Sequence, residues 1–151
     1  IHVHRSAVLH SEDPDPRPRL RALDVAVHGP YSGGLMALPT SEYHCMLLTS
    51  ESEGLPLSIV QALLLGLPVV ASAVGGVVDI VTDRTTGLLV SGPDDVDGFV
   101  SAIEELMASR ELRRKIIDGG RELAIAQHGR VAFEELVRGE FQPAWRRPQS
   151  V

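Results

Sequence analysis

The sequence has 151 residues, of which 44% are hydrophobic and 23% are charged. These proportions suit one domain with a sizeable core and exclude a largely disordered chain. Lysine and arginine number 14 against 20 aspartates and glutamates, and the net charge of −6 argues against a protein that binds nucleic-acid backbones. The single cysteine, Cys45, excludes an internal disulfide and a cysteine-rich zinc site, so we expect a reduced, cytoplasmic setting.

We expect no signal segment at the beginning of the given sequence, because no basic stretch is followed there by an apolar one. It begins at Ile1 rather than at methionine, and we expect it to be a fragment of a longer protein. The uncharged run 54–78 is long enough to span a bilayer, but Gly66 and Pro68 divide it into a helix and a strand. We therefore expect a buried α/β unit and no transmembrane segment.

The amino-terminal part is predicted to contain two strands joined by a loop. Residues 1–3 form an extended start, and three prolines within 11–19 disfavour a helix in the segment that follows. Alternating apolar residues predict a strand at 23–28, which Gly29 and Pro30 end. A helical turn is predicted at 35–38.

The middle of the chain is predicted to alternate buried strands with short helices. The apolar segment 43–49 predicts a buried strand, and the polar loop 50–56 leads into a helix at 57–65 that ends at Gly66. The elements that follow are a buried strand at 67–73, a tight turn at Gly75 and Gly76, helical turns at 77–81 and a short strand at 88–90.

The last third is predicted to be helical. Apolar residues at three- and four-residue spacing predict a helix from about residue 96, with three aspartates around its first turn to oppose the helix dipole. A second helix carries Leu112 and Ile116 and is weakened by Gly119 and Gly120, and a third carries Phe133.

The order of these elements predicts an α/β fold. Apolar strands that alternate with helices are typical of a parallel sheet covered on both faces, and right-handed crossovers make it doubly wound and Rossmann-like. Ligands of such sheets bind at the carboxyl ends of the strands. The candidate site therefore comprises two loops, 50–56 and 73–77.

The first loop suits a ligand that carries phosphate and hydroxyl groups. It leads into a helix N-terminus, whose free N–H groups and dipole favour an anion. Gly54 permits close approach, Glu53 can accept hydrogen bonds from hydroxyls, and Gln61 lies at most ~12 Å along the helix. The alternative is that Ser52 and Glu53 only cap the helix.

The second loop contains Gly75 and Gly76, which allow a bound group to approach the backbone closely. The alternative is an ordinary tight turn. Because the two loops are predicted to follow neighbouring strands, we expect them to form one site.

No metal site is predicted. Asp13–Asp15 and Asp95–Asp97 have an Asp-x-Asp spacing that some sugar transferases use for a divalent ion, but the first pair lies in a proline-rich loop and the second suits a helix start. His2 and His4 share one face of an extended segment without a third ligand at a recognisable spacing.

The segment 52–62, Ser-Glu-Gly-Leu-Pro-Leu-Ser-Ile-Val-Gln-Ala, resembles the Glu–seven residues–Glu signature of a known family. These are the retaining, nucleotide-sugar-dependent glycosyltransferases of the GT-B fold, family four, also called group 1. The segments 66–72, 74–81 and 86–90 are similar to the second domain of that family in the same order. The resemblance implies the carboxyl-terminal half of a GT-B enzyme, with residues 1–151 as a single nucleotide-sugar-binding domain.

The resemblance implies a role for each matching position. Glu53 would be the catalytic residue, since it would contact hydroxyls of the donor sugar and support departure of the leaving group. The residues implied in donor binding are Gly54, Leu55 and Leu57 through their N–H groups, Gln61 at the ribose, Gly75, Gly76, and Tyr31 near the nucleobase. The loop at Tyr31 is equally compatible with a simple surface turn.

The implied reaction transfers a hexose-type sugar from a nucleotide donor to a carbohydrate or lipid-linked acceptor. It retains the anomeric configuration and requires no metal and no cofactor. The acceptor would be held by a domain that this chain lacks, so the isolated chain is expected to be inactive. We expect no nucleic-acid partner. We expect a cytoplasmic location, with peripheral attachment of the full-length protein to the inner membrane face as the alternative.

The chain departs from the family pattern in three places. Gln61 replaces the second glutamate, and the segment His4-Arg5-Ser6 replaces a glycine-bearing turn. The family's first strand of this domain, with its basic phosphate ligands, has no counterpart. These departures keep open an alternative, a non-catalytic transferase-like module that binds a nucleotide sugar or a protein partner. A third alternative, a nucleotide-sugar epimerase with the GT-B fold, is disfavoured because this sequence lacks the paired acid and base residues that an epimerase would need.

Overall fold

The computed structural model describes residues 38–129, Leu35, and the backbone of two amino-terminal strands. The strands are β1 (His2–His4), β2 (Ala26–His28), β3 (Met46–Leu48), β4 (Val69–Ser72) and β5 (Leu88–Val90). A 3-10 helix covers Thr40–Glu42, and the α-helices are α1 (Leu57–Leu65), α2 (Val77–Ile80), α3 (Val96–Ala108) and α4 (Arg110–His128). The predicted helix at Phe133 lies outside the described residues.

Every described strand pairs in parallel. β1 pairs with β2, and β3, β4 and β5 form a three-stranded sheet in that order. In the register of the larger sheet, Met46 is opposite Val69 and Val70 is opposite Leu88. Parallel neighbours need a crossover, and α1 supplies it between β3 and β4. The predicted parallel α/β organisation is confirmed.

β4 is the central strand, and all four of its residues are buried. Successive side chains of a strand point to opposite faces. Accordingly, Val69 and Ala71 pack in a cluster that includes residues of α1 and α2. Val70 packs in a second cluster that includes Phe99 of α3 and Ile116 of α4. Helices therefore cover both faces of the sheet, as the term doubly wound implies.

β3 differs from its prediction as a buried strand at 43–49. It is three residues long, and Leu47 is 45% exposed. The reason is that β3 has only β4 as a paired neighbour among the strands that the structure describes, and so lies at the edge of that three-stranded sheet. Cys45, just before it, is half-buried rather than part of the deep core, and this burial still raises the pKa of its thiol.

α1 has the predicted bounds, and its end has a clear local cause. Gly66 follows it with φ of +71°, in the left-handed region, and its N–H donates to the carbonyls of Ala62 and Leu63. Glycine adopts this conformation without the penalty that a Cβ brings. The chain then turns directly into β4.

α4 runs uninterrupted for 19 residues through Gly119 and Gly120, the two glycines that the sequence predicted to weaken it. The two glycines lie where α4 crosses its neighbours. A Cβ on Gly119 would lie 2.5 Å from the carbonyl oxygen of Thr85, and one on Gly120 would lie 2.7 Å from Cδ2 of Leu63. The absence of a Cβ at both positions therefore lets the helix pack closely against these neighbours, in spite of the low helix propensity of glycine.

The start of α3 confirms the helix-start interpretation of its aspartates. Asp95 is the N-cap residue, and its carboxylate accepts hydrogen bonds from the Ser91 hydroxyl at 2.6 Å and from the Gly98 N–H at 2.9 Å. These bonds lower the pKa of Asp95, with the Ser91 bond as the larger cause.

Candidate functional site

The two loops that the sequence singled out meet in the structure. One follows β3 and the other follows β4, so both lie at the carboxyl edge of the parallel sheet. They are joined directly, because the N–H of Gly76 donates to the carbonyl oxygen of Glu53 at 2.9 Å. The two loops are therefore neighbours, and their forming one ligand site stays a prediction.

The glycine pair allows one loop to pack against the backbone of the other. Gly75 has φ of +48°, and a Cβ there would lie 2.1 Å from the carbonyl oxygen of Glu53. A Cβ on Gly76 would lie 1.8 Å from the carbonyl oxygen of Gly54. The backbone of the Glu53 loop therefore lies directly against both glycines, and a side chain at either position would prevent this contact. Their contact with a ligand stays a prediction.

The carboxylate of Glu53 is held in place from one side. The Ser50 hydroxyl donates a 2.6 Å hydrogen bond to Oε1 of this half-buried residue, a length typical of a charge-assisted bond. Oε2 has no hydrogen-bond partner among the described residues. One oxygen thus orients the group while the other is available to a ligand hydroxyl. Sequence reasoning missed Ser50, although a serine three residues before the glutamate was a signal.

The N-terminus of α1 is open. Its N-cap residue is Pro56, and no side chain caps the helix, so the interpretation of Ser52 and Glu53 as caps is wrong. Within the described part of the chain, no group accepts a hydrogen bond from the N–H of Gly54, Leu55 or Leu57. Unpaired N–H groups at the positive end of a helix dipole suit an anion such as a phosphate.

The surface around these N–H groups is accessible. The side chains of Leu55 and Leu57 are 58% and 64% exposed. A Cβ built on Gly54 would meet nothing within 4 Å. A ligand can therefore reach this stretch of backbone from solvent.

Gln61 lies one turn after Leu57, on the same side of α1. Its side-chain oxygen Oε1 accepts a hydrogen bond of 2.9 Å from the backbone N–H of Leu35, which is itself buried. No pattern in the sequence links these two residues, since they are 26 positions apart.

Several of the remaining candidates from the sequence are residues that the structure does not describe. Tyr31, Asp13 and Asp15 lie outside the described residues, as do the side chains of His2 and His4. In the described part of the chain, no group of three or more His, Cys, Asp or Glu residues is placed to hold a metal ion.

None of the helices in the described part of the chain has the length and apolar character to cross a membrane. The uncharged run 54–78 contains α1 and β4 instead.

The fold and the loops together define a Rossmann-like α/β domain, and solved structures share it. HepE from Anabaena, crystallised with UDP, aligns with a TM-score of 0.71 at 20% identity, over 81% of this chain and 34% of that chain. Sucrose-phosphate synthase from Thermosynechococcus elongatus aligns with a TM-score of 0.67 at 26% identity, over 81% of this chain and 32% of that chain. The fold is that of the C-terminal Rossmann-like domain of GT-B glycosyltransferases.

Sequence comparison places the chain in a family. Residues 24–123 match the glycosyl transferases group 1, and the chain belongs to this family. It is 34% identical to sulfoquinovosyl transferase SQD2 of Arabidopsis thaliana over 107 residues, which cover 67% of this chain and 21% of that protein. It is 47% identical to the D-inositol 3-phosphate glycosyltransferase of Mycobacterium marinum over 62 residues, 41% of this chain and 13% of that protein. The chain thus spans about a fifth or less of the length of these two relatives.

Proposed function

We propose that this chain is the donor-binding domain of a nucleotide-sugar-dependent, retaining glycosyltransferase that transfers a hexose-type sugar. One observation carries the proposal: a carboxylate oriented by Ser50 lies on the loop that leads into α1, and three backbone N–H groups of this loop and of the first residue of α1 have no acceptor among the described residues. A carboxylate oxygen suits sugar hydroxyls, and the N–H groups suit a diphosphate. The family membership and the UDP and UDP-glucose bound to HepE support this choice of ligand.

In this proposal each site residue has a defined task. Glu53 accepts hydrogen bonds from the donor sugar and stabilises positive charge as the leaving group departs. The N–H groups of Gly54, Leu55 and Leu57 bind the diphosphate, and Gln61 contacts the nucleoside. Gly75 and Gly76 support the Glu53 loop and border the donor, and Tyr31 lies near the nucleobase.

The remaining parts of the proposal concern the whole protein. A carbohydrate or lipid-linked acceptor is held by a domain outside residues 1–151, and the isolated chain is inactive alone. The full-length protein is located in the cytoplasm, either free or attached to the inner face of the membrane. No metal or cofactor takes part, because backbone N–H groups and the dipole of α1 stabilise the charge on the departing diphosphate.

The test is the substitution Glu53→Gln in the full-length protein, with the exposed Glu104→Gln on α3 as the matched control. We expect Glu53→Gln to lower the rate of sugar transfer at least about a hundredfold, because it removes a charge that acts in the transition state. Affinity for the free nucleotide should change less than about twofold. Transfer at the wild-type rate by Glu53→Gln would overturn the catalytic assignment.

The non-catalytic module remains a second candidate, since Gln61 stands in place of a carboxylate and its carbonyl oxygen already bonds Leu35. Wild-type full-length protein that binds a sugar nucleotide yet transfers no sugar to any of a panel of carbohydrate and lipid-linked acceptors would favour this candidate. Turnover with one acceptor would exclude it.

A further inference from the structure

A cleft lies at the opposite edge of the sheet from the Glu53 loop. Its volume is about 640 Å3, which is within the range of binding sites for small molecules. Residues that precede β3 and β4 line it, among them Tyr43, His44 and Pro68. Because these strands are parallel, this is the amino edge of the sheet. The length of β4, about 13 Å, separates the cleft from the candidate functional site.

Arg113 of α4 lines this cleft with a guanidinium group that is only partly bonded. Its Nη1 donates to the carbonyl oxygens of Leu106 and Met107, at 2.8 and 3.4 Å, and so bonds the carboxyl end of α3. A guanidinium has five N–H donors. Among the described residues, Nη2 and Nε have no acceptor, and no carboxylate pairs with Arg113. A half-buried positive charge is therefore available to a ligand.

The carboxyl end of α1 also borders the cleft, through Leu65 and Gly66. The negative end of a helix dipole would repel an anion. Here, however, the carbonyl oxygen of Leu64 accepts a 3.2 Å hydrogen bond from Nε of Arg121, and the N–H of Gly66 donates to two further carbonyls of the helix. Because these carbonyls are bonded and one of their partners is an arginine, the cleft stays suited to an anion.

The other lining groups suit a molecule that carries hydroxyls. Thr40 and Ser41 bring side-chain hydroxyls, which both donate and accept hydrogen bonds. Met107 and Ile117 bring apolar surface that can cover the C–H groups of a sugar ring. We propose that this cleft binds an anionic sugar, a monosaccharide with a phosphate or a carboxylate group, and that Arg113 holds the anionic group. The site is separate from the proposed donor site.

Three variants of the full-length protein test the cleft. Arg113→Gln removes the charge and keeps NH2 donors. Arg114→Gln removes the same charge at the next position, where the side chain is 86% exposed and lies 3.7 Å from Asp118, and is the matched control. Ser41→Tyr fills the cleft from an exposed position and leaves Arg113 in place. It keeps the test valid if Arg113→Gln weakens the end of α3.

Two measurements are made on the wild type and on each variant. Calorimetry gives the affinity for four probes, which are glucose 6-phosphate, glucuronate, glucose and inorganic phosphate. Hydrogen exchange of the segments 40–44 and 53–57, with and without each probe, shows which edge of the sheet the probe contacts. Tighter binding of glucose 6-phosphate than of glucuronate would identify a phosphate as the anionic group, and the reverse order would identify a carboxylate.

We expect the wild type to bind one of the two anionic sugars at least about tenfold more tightly than glucose or inorganic phosphate, with slower exchange at 40–44. Arg113→Gln and Ser41→Tyr should each weaken this binding about tenfold or more, and Arg114→Gln should change it less than about twofold.

Three results would overturn the proposal. The first is a wild type that binds neither anionic sugar more tightly than glucose. The second is an equal loss of affinity in Arg113→Gln and Arg114→Gln, because a general effect of charge would explain it. The third is slower exchange at 53–57 alone, which would assign the probe to the proposed donor site. A failure of the proposed function would leave the result at 40–44 unchanged, since that readout requires neither a nucleotide nor sugar transfer.

Discussion

Ser50 orients Glu53 through a single hydrogen bond of 2.6 Å, and its removal is a test at the scale of one residue. We expect Ser50→Ala to lower kcat for sugar transfer about fivefold, equivalent to a loss of about 1 kcal/mol for one hydrogen bond. Nucleotide affinity should stay within about twofold, because the proposed diphosphate contacts come from the backbone. The exposed Ser101→Ala on α3 is the control. An equal change of kcat in both variants would refute the role of Ser50.

The lowered pKa of Asp95 predicts that the stability of the folded protein depends on pH. Its pKa in the folded protein is lowered below the ordinary value of 3.8, first by the Ser91 hydroxyl and then by the Gly98 N–H. A lowered pKa contributes stability that is present above the unfolded-state value and is lost as the pH falls through the folded-state value. We therefore expect Asp95→Ala to lower the Tm at pH 7 and the deficit to shrink below about pH 3.8.

The measurement is a thermal melt of the wild type and Asp95→Ala between about pH 2 and 7. Asp94→Ala removes the neighbouring carboxylate, which does not bond Ser91 or Gly98, and serves as the control. A deficit for Asp95→Ala that is constant over this range would contradict the assignment.

At the scale of elements, the contact between the two site loops depends on Gly76. A Cβ there would lie 1.8 Å from the carbonyl oxygen of Gly54. That oxygen belongs to the backbone and the position of the Cβ is fixed by the backbone, so neither atom can turn away. We expect Gly76→Ala to reduce the free energy of unfolding by about 2 kcal/mol or more and to displace Glu53. Urea denaturation measures the loss. Gly92→Ala, where a Cβ would meet nothing within 4 Å, should change stability by less than about 1 kcal/mol.

A substitution at Gly119 shows which of two opposing effects on the stability of α4 is larger, close packing or helix propensity. Propensity alone predicts that Gly119→Ala stabilises α4 by about 1 kcal/mol. The Cβ would lie 2.5 Å from the backbone oxygen of Thr85, so we expect a net loss of about 1–3 kcal/mol. Asp118→Ala, which removes an exposed side chain 3.7 Å from Arg114, is the neighbouring control and should stay within about 0.5 kcal/mol. A stabilised Gly119→Ala would show that α4 moves freely against its neighbours.

At the scale of the whole molecule, the proposed charge stabilisation comes from backbone and helix dipole rather than from an ion. We therefore expect the dissociation constant of the preferred sugar nucleotide, measured by calorimetry on the full-length protein, to be the same with and without a chelator of divalent metals. The rate of transfer should likewise be unchanged. A loss of more than about tenfold in affinity or rate on chelation, restored by added magnesium, would contradict metal-independent transfer.

Local patterns determined much of the fold. The bounds of α1, its end at Gly66 and the alternation of strands with helices follow from short-range periodicity and turn chemistry, which act between residues a few positions apart. The position of Glu53 in a loop before a helix follows from the same patterns. The family resemblance could likewise be read from consecutive residues. For these features the sequence by itself was sufficient.

The tertiary structure alone decided which groups those elements bring together. Gln61 bonds Leu35 across 26 residues, Gly76 packs on Gly54, and Gly119 packs on Thr85. Glycine is conformationally permissive in any setting, so a glycine pair is as consistent with a weakened helix as with a close crossing of α4. The exposed edge at β3 likewise depends on which strands pair. Such contacts arise from the packing of elements against one another, and no local pattern encodes them.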